Sequence, residues 1–204
     1  MGILRAEHWD DVYRTRAVTD VSWFQVEPTT SMELIADVDP RPRSVIDVGA
    51  GASVLVDSLL DAGIADLAVL DVSAEALDQV RTRLGDRADG VSFVVADLLE
   101  WDPERQWDLW HDRAVFHFLV DRADQERYVA TAAAAVSRGG HVVIAAFAPD
   151  GPDRCSGLPA ARHDAESIAA VFSPAFVLEL SEREVHTTPA GVEQPFTWAV
   201  LRRR

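Results

Sequence analysis

Short apolar runs along this chain alternate with stretches in which apolar residues recur at helical spacing. Ser44–Val48, Leu67–Asp71, Val91–Ala96, Trp107–Asp112 and His141–Phe147 read as strands, the last apolar enough to be covered on both faces. Between them lie helical stripes: Val54, Leu55, Leu59 and Ala62, ended by Gly63; Leu77, Val80 and Leu84, capped by Ser73 and followed by Gly85; and Val129, Ala132, Ala133 and Val136, capped by Asp121 and stopped by Gly139-Gly140. Asp164 caps a last helix through Ile168 and Phe172. Two strands with no helix between them follow, Phe176–Val185 and Pro195–Leu201, and the Pro189-Ala190-Gly191 turn predicts a hairpin. Strand alternating with helix implies an α/β fold with a largely parallel sheet and helices on both faces. Residues 1–42 precede this core as a helical cover in two pieces. Leu4, Trp9, Val12 and Tyr13 form one stripe, and Met32, Leu34 and Ile35 follow Thr30-Ser31 in the other, with Trp23 and Phe24 between. The whole of 1–204 is expected to be one domain, with core 43–204.

The junction after the first run is the most informative stretch. Ser44-Val45-Ile46-Asp47-Val48-Gly49-Ala50-Gly51 is a buried strand turning sharply into a helix, where glycines let a ligand approach the backbone and free amides offer donors. A dinucleotide fingerprint requires a third glycine at position 54 for close packing beside a pyrophosphate, and Val54 stands there. Asp47 at the strand end suits an ammonium-bearing ligand better than a phosphate, and S-adenosylmethionine carries an ammonium and a sulfonium. The second run closes on Asp71, 20 residues beyond Gly51, where a carboxylate can accept from both ribose hydroxyls. The third closes on Asp97, placed to accept from an adenine amine.

With Asp47-x-Gly49-x-Gly51, Asp71 and Ala96-Asp97-Leu98 in order, the chain resembles the class I S-adenosylmethionine-dependent methyltransferases over roughly residues 44–147. The resemblance implies a doubly wound, mostly parallel seven-stranded sheet ending in a C-terminal antiparallel hairpin. It also implies a cofactor seat of Asp47, Gly49, Ala50, Gly51, Asp71, Val72, Ala96, Asp97, Leu98 and His111, and an N-terminal cover that helps shape the acceptor pocket. His111-Asp112-Arg113-Ala114-Val115-Phe116-His117, ending the fourth strand, lies by resemblance between cofactor and acceptor. Asp112 and His117 are the candidates to orient the acceptor or take its proton, with a strand-end ion pair and a packing histidine as their structural alternatives. Trp23, Phe24, Arg113 and Cys155 are expected to line the acceptor side. Cys155 sits in the Pro-, Gly- and Asp-rich loop 148–162, whose length marks it as functional or mobile.

Composition narrows the partners. The formal net charge of −15 opposes nucleic acid, and the one dense basic patch, Arg202-Arg203-Arg204, is a terminal tail. All 19 basic residues are arginine, which excludes lysine chemistry. The lone cysteine forbids an intrachain disulfide, and the first eight residues lack the apolar centre of a signal peptide. No apolar run spans a bilayer, so the expected setting is the cytoplasm, as a monomer or homodimer. No metal is expected, since adjacent His111 and Asp112 on a strand point to opposite faces. The sequence therefore predicts methyl transfer to a small molecule, with a protein side-chain methyltransferase or a non-catalytic adenosine-binding module as alternatives. No DNA or RNA complex should survive a gel-shift assay at ~150 mM salt, and a shifted band there would contradict this.

Overall fold

The computed structural model describes residues 6–204. Leu4, assigned above to the first stripe, lies outside them. Ala6–Thr15 (α1) and Thr29–Val38 (α2) form the cover. Ser44–Val48 (β1), Leu55–Asp61 (α3), Asp66–Asp71 (β2), Ala74–Leu84 (α4), Val91–Val95 (β3), Trp107–Arg113 (β4), Arg122–Ala135 (α5) and Val136–Phe147 (β5) alternate as the apolar pattern requires. Arg154–Cys155 (β6) and Leu158–Pro159 (β7) form a small separate hairpin, followed by Ala165–Phe172 (α6), Phe176–Thr187 (β8) and Glu193–Arg203 (β9). The main sheet runs β3-β2-β1-β4-β5-β9-β8, with β9 antiparallel to both neighbours and the pairs from β3 to β5 parallel. This is the expected seven-stranded arrangement. No helix among the described residues is long and apolar enough to cross a membrane.

Alternation along the strands divides the core in two. Val45, Leu67, Val69, Leu109, Val143 and Ala145 face α1 to α4, while Ile46, Val48, Ala68, Leu70, Trp110 and Ile144 face α5 and α6. The register sets Asp47 opposite Val69 on one side and opposite His111 on the other, so one sheet face carries the odd-numbered residues of β1, β2 and β4 at their carboxyl ends. That face presents Asp47, Asp71, His111 and Arg113.

Several local expectations change. α5 ends at Ala135, ahead of the glycines, because Val136 already pairs with Trp107 of β4, and Gly139-Gly140 falls in the irregular stretch of β5 before pairing resumes at His141. Asp121 holds the N-cap position of α5 without a side-chain cap bond, whereas Ser73 and Asp164 accept from Ala76 N and Ser167 N as expected. The loop after β5 is ordered by the Ser156-Gly157 turn, whose φ values of 48° and 77° fit a tight two-residue hairpin.

Asp112 lies on the α5/α6 face, not the cavity face. It is fully buried and accepts from Val115 N at 2.9 Å, Phe116 N at 3.1 Å and Tyr128 Oη at 2.6 Å. Tyr128 in turn accepts from Trp110 Nε1 at 2.9 Å. Burial pushes the Asp112 carboxyl up to about 6 against the pull of these donors. Tyr128→Phe should therefore lower stability by ~1–3 kcal/mol, because the Trp110 N–H and one Asp112 oxygen are left buried and short of a partner. Chemical denaturation of both proteins checks this.

Candidate cofactor and acceptor site

Two adjoining cavities open at the carboxyl ends of β1, β2 and β4. One encloses about 620 Å³ of empty space, part of it open to solvent, and is lined by Asp71, Val72, Ala96, Leu98, Trp9, Phe118 and Cys155 among others. The second, about 640 Å³ by the same measure, is bounded by Asp47, Ala50, His111, Ser31, Phe24 and Val54. Tyr13, Trp23, Gly49 and Arg113 border both.

The turn between β1 and α3 is shaped by what crosses it. Gly49 has φ 59°, and a Cβ there would stand 1.9 Å from Val115 Cγ2; Gly51 has φ 54°, and its Cβ would stand 2.2 Å from Tyr13 Oη. Neither position admits a side chain. Gly51 N donates to Asp71 Oδ2 and Ser73 N to Asp71 Oδ1, both at 2.8 Å, so the carboxylate bridges the glycine turn and the start of α4 while each oxygen keeps a further acceptor site. Burial, outweighing these donors, moves Asp71 up to about 6. Asp47 Oδ1 accepts from His111 Nδ1 at 2.7 Å, which leaves Nε2 to accept from Ser31 Oγ at 2.9 Å. Arg83 fixes the turn from outside, donating to Ala52 O at 2.8 Å, to Ser53 O at 2.5 Å and to Asp57.

The cover is latched onto this frame. Asp10 Oδ1 accepts from Ser73 Oγ at 2.6 Å and from Glu75 N at 3.3 Å, and Gln79 Nε2 donates to Tyr13 O at 2.8 Å. Trp23 packs edge-on against Trp9 and Tyr13, with ring centroids 5.7 and 6.3 Å apart. Burial first, then the Asp71 charge, raises the Tyr13 phenol well above its usual value, so it stays protonated.

Residues 45–140 match a family described as a methyltransferase domain. Among curated proteins, the chain is 29% identical over 135 residues to nodulation protein S of Rhizobium tropici, covering 66% of this chain and 54% of that protein. It is 36% identical over 83 residues to trans-aconitate 2-methyltransferase of Rhizobium etli, covering 40% and 31%. Among solved structures, the N-methyltransferase NodS of Bradyrhizobium japonicum, in complex with S-adenosyl-L-homocysteine, superposes with a TM-score of 0.73 at 15% identity, covering 96% of this chain and 98% of that one. Over residues 45–140 the chain is similar to a methyltransferase domain, and its sheet has the class I fold of the NodS structure. The chain spans between 14% and 54% of the length of the curated relatives it matches.

Most residues assigned from the sequence meet at the cavities, and four do not line them. Gly51 sits behind Tyr13 and contributes its amide to Asp71. Asp97 turns its carboxylate onto Leu99 N at 3.0 Å, while its neighbours Ala96 and Leu98 reach the wall. Asp112 faces away, as described. His117 is fully buried between Phe147 and Phe118, centroids 4.4 and 4.5 Å away, with neither ring nitrogen bonded among the described residues. Burial lowers it to about 3, so it stays neutral and packed, and the catalytic assignments of Asp112 and His117 are withdrawn. The Cys155 thiol does reach the wall, but burial pushes it up to about 12, which leaves it unreactive.

The sequence reading missed Val115 and Phe118 as wall residues. Val115 lies in the segment it singled out and Phe118 one residue beyond it, but only the turn after β4 decides which side chains return to the cavity. Because His117 holds two unpaired polar atoms among aromatic rings, His117→Phe should raise stability by ~1–2 kcal/mol. A fall in the thermal midpoint would contradict this.

Proposed function

We propose that this chain transfers a methyl group from S-adenosylmethionine to a small-molecule acceptor. The observation that carries the reading is the pair of buried carboxylates, Asp47 and Asp71, at neighbouring strand ends on one sheet face and flanking a glycine turn that admits no side chain. These residues fit the cofactor. Asp71 retains an acceptor site on each oxygen for the two ribose hydroxyls, and Gly49 borders both cavities. Asp47, Ala50 and His111 border the cavity suited to the amino acid end, and Ala96 and Leu98 the adenine end. When bound, the cofactor supplies a methyl group on a positively charged sulfur, an already activated leaving group.

The protein's part is then to hold and enclose. Trp9, Trp23 and Phe118 exclude water from the acceptor side, and Arg113 and Cys155 line it. With Asp112 and His117 turned away and Tyr13 and Cys155 held protonated, positioning carries the rate and the acceptor presents a lone pair that is already free. The covered cavity favours a small acceptor over a folded protein. The names of relatives support the same direction, since trans-aconitate 2-methyltransferase and a Burkholderia thailandensis 1,6-didemethyltoxoflavin-N1-methyltransferase are named for small molecules. The described residues work as one unit, and the lone buried thiol together with the acidic surface suits a reducing cytoplasm without nucleic-acid partners.

Asp71 must be ionised to accept strongly from the ribose. Its value of about 6 in the free protein means that, as pH falls through that point, a proton must be displaced before binding, and affinity should drop by up to ~10-fold per pH unit. Above it, affinity should be flat. Asp71→Ala should weaken S-adenosylmethionine binding by ~2–4 kcal/mol at neutral pH, and Asp71→Asn should remove the acid-side slope. Calorimetric titration between pH 5 and 8, in steps of about one unit, reads both effects. Equal affinities at neutral pH would remove Asp71 from the seat.

A further inference from the structure

Arg113 ends β4 on the cavity face, and it is the only arginine among the residues lining either cavity. Its Nη1 donates to Trp23 O at 3.0 Å and its guanidinium lies 4.9 Å from the centre of the Phe196 ring. Those contacts fix the group's position and plane. They leave Nε and Nη2, one side of the planar fork, buried with no partner among the described residues. No carboxylate forms an ion pair with it there. Glu184, the nearest in effect, is engaged by Gln25 Nε2 at 3.1 Å and Trp198 Nε1 at 2.8 Å. An arginine with no carboxylate in direct contact, offset mainly by the Glu184 charge at a distance, keeps much of its burial cost. The next residue, Ala114, has φ 74°, a conformation uncommon outside glycine, so the backbone is strained where Arg113 is presented.

Resting on the small-molecule methyltransferase reading above, we propose that the acceptor carries a carboxylate, anchored side-on by Nε and Nη2 of Arg113, and is methylated at a separate nucleophilic atom. The Nε–H and Nη2–H pair matches a carboxylate bidentately, which an ammonium or a hydroxyl cannot do. The location favours the acceptor over the cofactor's own carboxylate. Asp47, Asp71 and Ala96 belong to β1, β2 and the turn after β3, whereas Arg113, which borders both cavities, reaches the opposite way, onto Phe196 of β9 beyond β5, and lines the first cavity together with Cys155 of the β6–β7 hairpin. Trp9, Trp23 and Phe118 in that wall suit a planar or apolar body. The acceptor class is a small, mainly apolar acid bearing an amine, phenolate or thiolate, whose lone pair takes the methyl as the sulfonium leaves as a neutral thioether, an amine's surplus proton then passing to solvent.

The test uses the full chain with S-adenosylmethionine and reads S-adenosylhomocysteine release from amino-, hydroxy- and mercaptobenzoates, each beside its primary amide. The acid should exceed its amide by at least ~10-fold in kcat/KM, because the amide leaves the fork half paired. Arg113→Met should abolish that preference and raise KM by at least ~10-fold while S-adenosylhomocysteine affinity stays within ~3-fold, and Arg113→Lys should keep part of it as a point charge. The thermal midpoint of Arg113→Met should not fall, since an unpaired buried charge is removed; this separates loss of anchoring from loss of fold. Amides turned over as well as acids would overturn the carboxylate anchor and leave small-molecule methyl transfer standing. Cofactor affinity falling in step with turnover in Arg113→Met would assign the fork to the cofactor and overturn the proposal. Parent protein that binds cofactor yet methylates no small molecule of either charge would overturn both readings.

Discussion

The Asp71 carboxylate ties together the turn after β1 and the start of α4, which the β1–β2 pairing brings near each other. One oxygen takes the amide of Gly51 and the other the amide of Ser73, both at 2.8 Å, so the glycine turn after β1 is tied to the end of β2 and the start of α4. Ser73 then uses its hydroxyl twice, accepting from Ala76 N as the cap of α4 and donating to Asp10 of the cover. A chain of charge-assisted bonds thus runs from the turn through the sheet edge to the first helix. Ordering of the site and closure of the cover share the same groups.

Space around the turn is fixed just as tightly. Val115 fills the volume that a side chain at position 49 would need, and the Tyr13 hydroxyl fills that at 51. Arg83 clamps the carbonyls of Ala52 and Ser53 from the solvent side. The turn is therefore gripped from three directions, by the strand-end network, by the cover and by an arginine from α4. Its amides and shape are preorganised before any ligand arrives.

Charge on the inner face is divided along the sheet. Carboxylates sit over β1 and β2, and the single unpaired guanidinium sits toward β5 and β9. With the carboxylate-bearing acceptor proposed above, such a division would keep cofactor and acceptor apart until they meet near Trp23 and Arg113, which border both cavities. The acidic surface would repel an anion at long range, so recognition there depends on desolvated contact rather than on steering.

The apolar alternation, the Gly-x-Gly turn and the acids closing the first three strands are local signals. Each follows from what neighbouring residues do to the backbone, and together they determined the strand–helix order and most of the cofactor-side wall. Which face a strand residue occupies relative to another strand is not local. Asp112 and His111 are neighbours in sequence, and the pairing of His111 with Asp47 across β1 and β4 decided that His111 joins the site while Asp112 is buried behind it to satisfy the turn and Tyr128. His117 entered the aromatic cluster of Phe147 and Phe118 through the same turn. The helix ended before the Gly139-Gly140 signal, because pairing of Val136 with Trp107 across the sheet outweighs a local propensity. That Arg113 keeps an unpaired edge was invisible in the sequence for a like reason: a missing partner is a property of the whole assembled neighbourhood, and only the fold brings that neighbourhood together.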